Sequence, residues 1–185
     1  MNNEPTLSEL NKRNIEGFYY SDKGAWHGYF PVYDELFAPY RHLDINVFEV
    51  GYLHGGSAIL WERYFSKAKI RLIDVDCCVP PPDPAGRIVL ELQNIRDLTP
   101  AYFDNFPPTI AIDDGSHLLE DQVCFIKTVY PALKAGGIMI IEDIQSILTQ
   151  KVVFDALGIP FEIIDLREKT GRYDDVLLIY RKGYE

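Results

Sequence analysis

Cysteine is scarce in this chain, three in 185 residues, and two of the three are adjacent: Cys77, Cys78 and Cys124. An odd count with a neighbouring pair does not resemble a disulfide framework, which excludes a small cross-linked scaffold and is compatible with a reducing compartment. Basic residues are also in short supply, 18 Lys and Arg against 28 Asp and Glu, for a net charge of −10. Affinity for a phosphate backbone is carried by clustered Lys and Arg, so no nucleic-acid partner is expected. A small neutral or cationic ligand suits this charge better. No apolar run approaches the roughly 18 residues of a membrane span. The opening "MNNEPTLSEL" lacks the basic and apolar regions of a secretion signal. The expectation is therefore a cytoplasmic protein with no membrane partner. Internal repeats and low-complexity tails are absent as well.

What is present is material for a core. With 47% hydrophobic residues the chain can fold as one domain. Short runs rich in β-branched residues alternate with stretches of helical period. Candidate strands are Ile45 to Val50, Ile70 to Asp74, Arg87 to Leu92, Thr109 to Ile112, Ile138 to Glu142, Phe161 to Leu166 and Val176 to Tyr180. Several are apolar throughout, as parallel strands covered on both faces should be. Between them Ser57 to Phe65 reads as a helix. In "EDQVCFIKTVYPALKAGG" the residues Val123, Ile126, Tyr130 and Leu133 form an apolar stripe that Gly136 and Gly137 should end. The last two strands are joined by "REKTGRYDD", too short for a crossover helix, and should pair as an antiparallel hairpin around Gly171. The segment "CCVPPPDPAG" reads as a stiff proline loop. An open α/β sheet with one reversed strand results.

In such a sheet ligands bind beyond the carboxyl ends of the strands. The first strand ends "FEVGYLHGGS", giving Glu49, Gly51, Gly55, Gly56 and Ser57. Glycines there let the backbone turn and approach a ligand, and the helix that follows offers free N–H groups to an anion. The spacing is not the G-x-G-x-x-G of dinucleotide binders, which argues against an NAD-dependent oxidoreductase. The second strand ends in Asp74, placed to accept hydrogen bonds from ribose hydroxyls, with Asp76 as its competitor.

The glycine loop followed by an acid closing the next strand resembles class I S-adenosylmethionine (SAM) dependent methyltransferases. "DDGSH", "PALKAGGIMIIEDI" and the upstream "SDKGAWHGYFPVYDELF" are together similar to the metal-dependent O-methyltransferases of macrolide sugars and the related cephalosporin-hydroxylase-like group. The likeness runs from about Ser21 to the final hairpin. It implies a Rossmann-like doubly wound α/β sheet of seven strands in the order 3-2-1-4-5-7-6, strand 7 antiparallel, with helices on both faces. It also implies a helical, aromatic cap over 1–44 and a methyltransferase domain over 45–185, forming one compact unit.

Asp113 and Asp114 close the fourth strand, and Glu142 and Asp143 close the fifth. These ends should lie on neighbouring parallel strands about 5 Å apart, so four carboxylates would converge. Like charges that close require protonation or a cation among them, and Mg²⁺ with its oxygen ligands fits best. By the resemblance Asp113, Glu142 and Asp143 align with the metal ligands, and Asp114 is a fourth candidate. His117, in the "DGSH" motif, is the expected general base for a hydroxyl of a small-molecule acceptor. The cofactor would lie on Glu49, Gly51, Gly55, Gly56, Ser57, Asp74 and Asp113. Gln93 and Asn94 would be near the adenine, although this stretch reads "ELQ" where the related enzymes begin Gly-Asp-Gln. Trp26, His27, Tyr29 and Tyr33 are candidates for the SAM tail or the acceptor. A sugar or glycosylated natural product is the expected acceptor, with association into a homo-oligomer also in view.

Plainer roles compete. Asp113 and Asp114 could form an Asx turn, Glu142 and Asp143 could cap the next helix, His117 could be a surface histidine, and the aromatics could simply dock a helix on the sheet. Ser116 as a capping-box residue does not fit, because Glu120 is four residues on rather than three. A non-catalytic SAM- or nucleotide-binding protein of the same fold and a methyltransferase of catechol-like acceptors are the alternative functions.

Overall fold

Each of the seven expected runs forms a strand, with ends within a residue or so of the reading above. They are β1 (Asn46–Val50), β2 (Lys69–Asp74), β3 (Ile88–Leu92), β4 (Ile110–Asp113), β5 (Ile138–Ile141), β6 (Phe161–Asp165) and β7 (Val176–Arg181). The computed structural model describes residues 4–12, 20–77, 79–80 and 85–184. Cys78 and residues 81–84 of the proline loop lie outside these, while Cys77 and Cys124 are free thiols. The strands form one sheet in the order β3-β2-β1-β4-β5-β7-β6, as the resemblance implied. β1 to β5 run parallel, and β7 is antiparallel to both β5 and β6.

The sheet is buried on both sides because its central strands are apolar at every position but the last few. Alternate side chains leave opposite faces. Val47, Ile110, Ile112, Ile138, Ile140, Leu177 and Ile179 face one core, and Phe48, Ala111, Met139, Ile141, Val176, Leu178 and Tyr180 face the other. The first core is closed by α1 (Leu7–Asn11), α3 (Phe30–Phe37) and α4 (Gly56–Tyr64). The short α2 (Asp22–Ala25) leads into α3. The second core is closed by α5 (Leu119–Val129) and α6 (Ile147–Asp155). A one-turn α7 (Arg167–Thr170), ended by the left-handed Gly171, sits inside the β6–β7 hairpin. Among the described residues no helix is long and apolar enough to cross a membrane.

Two local expectations are corrected. α5 ends at Val129, followed by a 3₁₀ turn over Tyr130–Ala132. Pro131 has no N–H to continue the helical ladder, so it ends the helix, and Gly136 and Gly137 instead form the turn into β5. The buried face of α5 is Gln122, Phe125, Ile126, Thr128 and Val129, while Val123 and Tyr130 are only partly covered.

The N-terminal segment is held by its own polar signals. Thr6 and Glu9 form a capping box on α1, and the Asn11 side chain exchanges two hydrogen bonds with the Ser21 backbone, at 2.9 and 3.0 Å. From α3, Phe37 packs edge-on against Trp61 of α4, with ring centres 5.6 Å apart.

The turn after β1 is where the backbones come closest. Gly51 has φ +99°, and a Cβ there would lie 2.0 Å from the Asp114 carbonyl oxygen. Gly51→Ala should therefore lower stability by about 3 kcal/mol or more. Gly158→Ala, at φ +69° with nothing within 4 Å, should lose only about 1 kcal/mol. Urea denaturation of the two variants distinguishes a steric collision from backbone strain alone.

Candidate active site

Strand phase decides which acids meet. In the parallel register Glu49 sits beside Ile112, and Ile112 beside Ile140. Asp114 and Glu142 are each two residues further on, so all three carboxylates leave the sheet on the side where the N-terminal segment packs. Their oxygens lie within 4.8 Å of one another. Glu49 and Glu142 are almost wholly buried. The cation that answers them is Lys23, 1% exposed, which the sequence reading did not single out. Its ammonium donates to Asp114 and to both oxygens of Glu142, at 2.8 and 2.9 Å, and lies 3.3 Å from Glu49 Oε1. Burial alone would lower the Lys23 pKa, but the three carboxylates more than offset this and hold the ammonium charged.

The crowding for which Mg²⁺ was the best-fitting cation is answered in the inner group by a lysine, which supplies the positive charge there. Glu142, expected as a metal ligand, is engaged by Lys23 and accepts from the Tyr33 hydroxyl at 2.6 Å. Burial, reinforced by Asp114, pushes its pKa up against the pull of Lys23.

A second, outer group opens to solvent. Asp114, His117 and Asp143 each bring a ligand atom within 4.8 Å of the others, and His117 Nε2 is 3.6 Å from Asp143 Oδ2. The other oxygen of Asp143 accepts from the Tyr29 hydroxyl and lies 3.4 Å from His27 Nδ1. Its pKa is raised, chiefly by burial. Asp113 belongs to neither group. It is the last residue of β4, in phase with Ala111, and therefore points away from Asp114. Its Oδ1 accepts from the Gly115 N–H at 3.3 Å, and its buried Oδ2 has no hydrogen-bond partner. Burial pushes its pKa up to about 7. Hence Asp114, not Asp113, joins the acid of β5. Ser116 donates to Asp121 and does not cap α5, whose N-cap is Leu118.

The outer group and Asp113 line a cleft of about 840 Å³ that is also bordered by Gly51, Gly56, Asp74, Gln93 and Asn94 among others. Asp74 lies at its edge with both oxygens taken by backbone amides, Oδ2 by Tyr52 and Leu53 and Oδ1 by Val75 and Asp76. It therefore holds the glycine loop in shape. Gly55, at φ +76°, starts α4. Ser57 borders the cleft, but its hydroxyl donates to Glu49 Oε2 at 2.9 Å, and the Trp61 indole donates to the same oxygen at 2.8 Å. Glu49 itself does not reach the cleft wall. Among the described residues three non-glycine residues have positive φ: Leu53, His117 and Asp143. All three stand at strand ends around this cleft, where strained backbone is characteristic of functional sites.

Of the four aromatic candidates, Tyr29 and Tyr33 are fully buried and dock the N-terminal segment onto Asp143 and Glu142. They are core residues with hydroxyls on the acids and are not free to meet a ligand. Trp26 is 64% exposed and stacks under Arg172, whose guanidinium carbon is 5.2 Å from the ring centre. His27 borders the cleft, with Nδ1 2.8 Å from Asp175 Oδ1. Asp175 and Arg172 were not anticipated; they come from the β6–β7 hairpin, which sequence spacing alone does not bring to this end of the sheet.

No family model matches the chain. It is 33% identical over 160 residues to the 8-demethyl-8-alpha-L-rhamnosyl tetracenomycin-C 2'-O-methyltransferase of Streptomyces olivaceus, covering 77% of this chain and 42% of that protein. It is 31% identical over 152 residues to the demethylmacrocin O-methyltransferase of Streptomyces fradiae, covering 76% and 37%. The chain is a homologue of the sugar O-methyltransferases. A solved structure of the MycE methyltransferase of the mycinamycin pathway, in complex with Mg and SAH, superposes with a TM-score of 0.72 at 23% identity, over 98% of this chain and 55% of that one. The shared fold is the Rossmann-like methyltransferase fold, with strand 7 antiparallel. The chain spans less than half the length of the curated homologues it matches.

The titration of Glu49 provides a test of the buried acids. Burial pushes its pKa from 4.5 to about 7, so the folded state holds this proton more tightly than the unfolded chain does. Stability from this group is intact below about pH 4.5 and falls as pH rises to about 7. Glu49→Gln removes that slope. Relative to wild type, the variant should gain of order 3 kcal/mol between pH 4.5 and pH 7.5. Denaturant unfolding at the two pH values measures it.

Proposed function

We propose that the chain is a SAM-dependent O-methyltransferase that moves a methyl group to a hydroxyl of a small molecule, with a sugar of a glycosylated natural product as the acceptor class. The observation that carries this reading is the convergence of Asp114, His117 and Asp143 at the ends of neighbouring parallel strands, on the floor of a cleft that also runs along the glycine loop and Asp74. The homologues named above support the acceptor class.

The donors fit a divalent ion. Asp114 and Asp143 offer hard carboxylate oxygens at a cleft wall, which leaves room for oxygens of water or substrate. When bound, SAM supplies the electrophilic methyl, and an ion such as Mg²⁺ on Asp114 and Asp143 supplies charge that lowers the acceptor hydroxyl's pKa. His117, about a third exposed, accepts the hydroxyl proton, and Asp143 beside it stabilises the imidazolium that results. The glycine loop from Gly51 to Gly56, with Gln93 and Asn94 opposite, would take the cofactor. Asp74 and Tyr52 keep that loop in place. His27, Trp26 and Arg172 form the acceptor side of the opening. Residues 1–44 then act as a cap on a transferase domain from 45 to 185, and the contacts of Lys23, Tyr29 and Tyr33 with the acids support that division. No covalent intermediate is needed, so positioning supplies most of the rate.

Methyl transfer to a panel of glycosides and catechols, with Mg²⁺ and with excess EDTA, tests the reading. Activity should appear with glycosides and vanish with EDTA; transfer fully retained in EDTA would remove the metal role, and transfer only to catechols would change the acceptor class. Asp114→Asn should reduce turnover by at least about 10²-fold while leaving calorimetric SAM affinity nearly unchanged, because the ion meets the acceptor and not the cofactor. His117→Ala should lose about 10²-fold or more in rate, and an unchanged rate would assign the proton to another group.

A further inference from the structure

His117 stands on a backbone in the left-handed region, φ +58°, an uncommon conformation for a residue with a side chain, which persists where the surroundings fix it. The Asp143 carboxylate beside its ring, 3.6 Å from Nε2, is beyond hydrogen-bond reach. The direction of the imidazole is therefore set by the loop that carries it. Ser116 brackets the histidine: its Oγ accepts from the Leu118 N–H at 3.3 Å and donates to Asp121 Oδ2 at 2.6 Å. Asp121 lies in the first turn of α5, and its other oxygen accepts from Arg96 Nε. The neighbouring Gln122 ties the same turn to the Glu142 carbonyl at 3.2 Å, so Asp121 is a fixed point. Arg96 holds the Asp121 carboxyl below the usual carboxylate range and hence charged at neutral pH. The Arg96 backbone N–H donates in turn to the Asn94 side chain at 3.0 Å, at the start of the 3₁₀ turn Ile95–Asp97 that follows β3. Asn94, Asp121, Ser116 and His117 border the same cleft. A continuous chain of contacts thus runs from the wall at Asn94 to the loop of His117.

We propose that Asp121 and Arg96 are positioning residues for His117: through Ser116 they hold the loop so that the imidazole is presented to the cleft beside Asp143. An ion pair this open to solvent, with Arg96 half exposed, contributes little to stability. Its removal should therefore appear in the rate and not in the folding. The catalytic consequence rests on His117 as the base under the proposed function, whereas the clamp itself rests on the contacts above.

The test is a double-mutant cycle read by methyl transfer to the glycoside panel. Asp121→Ala should lower kcat by about 10-fold or more, with the calorimetric SAM affinity retained and Tm within about 4 °C of wild type. In a His117→Ala background the same substitution should cost less than about 2-fold in kcat, because no base remains to be misplaced. Arg96→Ala and Ser116→Ala, which cut the chain of contacts at other links, should follow the same pattern, and either takes the place of Asp121→Ala if that variant does not fold. An undiminished kcat in Asp121→Ala, or an equal loss with and without His117, would overturn the proposal. Wild type that transfers no methyl group to any acceptor would refute the proposed function instead. The clamp is then decided by the ¹⁵N signals of the His117 ring, identified among four histidines by their loss in His117→Ala. Shifted or broadened signals in Asp121→Ala uphold the clamp, and signals identical to those of wild type overturn it.

Discussion

Carboxylates carried into a low-dielectric interior must be protonated, paired or hydrogen-bonded, and this requirement organises the N-terminal half of the molecule. Parallel pairing of β1, β4 and β5 delivers Glu49, Asp114 and Glu142 to one side of the sheet. The segment that covers that side answers with matched groups: the Lys23 ammonium, the Tyr33 hydroxyl on Glu142 and the Tyr29 hydroxyl on Asp143. Removing either partner would strand a buried charge, which costs far more than an exposed ion pair gains. The cap and the sheet are therefore not separable layers. Their contacts span about a hundred residues of sequence, so the strand ends reach their final state only when the N-terminal segment has docked.

The same arrangement divides the acids into two levels. The inner level is formed around the buried Lys23, Glu49 and Glu142, while the outer level, with Asp114, His117 and Asp143, borders the cleft. Asp114 belongs to both, so its charge is shared between a fixed cation inside and whatever approaches from outside. Tyr29 and Tyr33 hold the acids from the buried side, while His117 and His27 border the cleft.

Much of the fold was legible because the central strands are apolar on both faces and each is followed by turn residues; this alone places β1 to β5 and the final hairpin. The order of the strands came from the family likeness rather than from periodicity. Helix ends were harder, since Pro131 and the glycines at 136 and 137 both look like stops, and the proline is met first. At the site, the strand-end acids were visible, but choosing between Asp113 and Asp114 required phase. The alternation of Ile110, Ile112 and Asp114 on one face contains that answer. Tyr29 and Tyr33, four residues apart, carry the spacing of a buried helical face. Lys23 was legible only as a residue in an aromatic segment, because nothing local to a lysine reveals that its ammonium will be enclosed by acids from three distant strands.

Asp143 adopts a left-handed backbone, φ +54°, directly after Glu142, which retains the direction of β5. Aspartate tolerates that conformation better than longer or branched residues do. The two neighbouring acids consequently have different jobs that their equal charge conceals: the longer one extends the strand toward the interior, and the shorter one turns the chain so that its carboxylate emerges at the rim. Exchanging their order would conserve composition and net charge yet reverse which oxygen is sealed and which is offered, so the side-chain length at these two positions encodes direction.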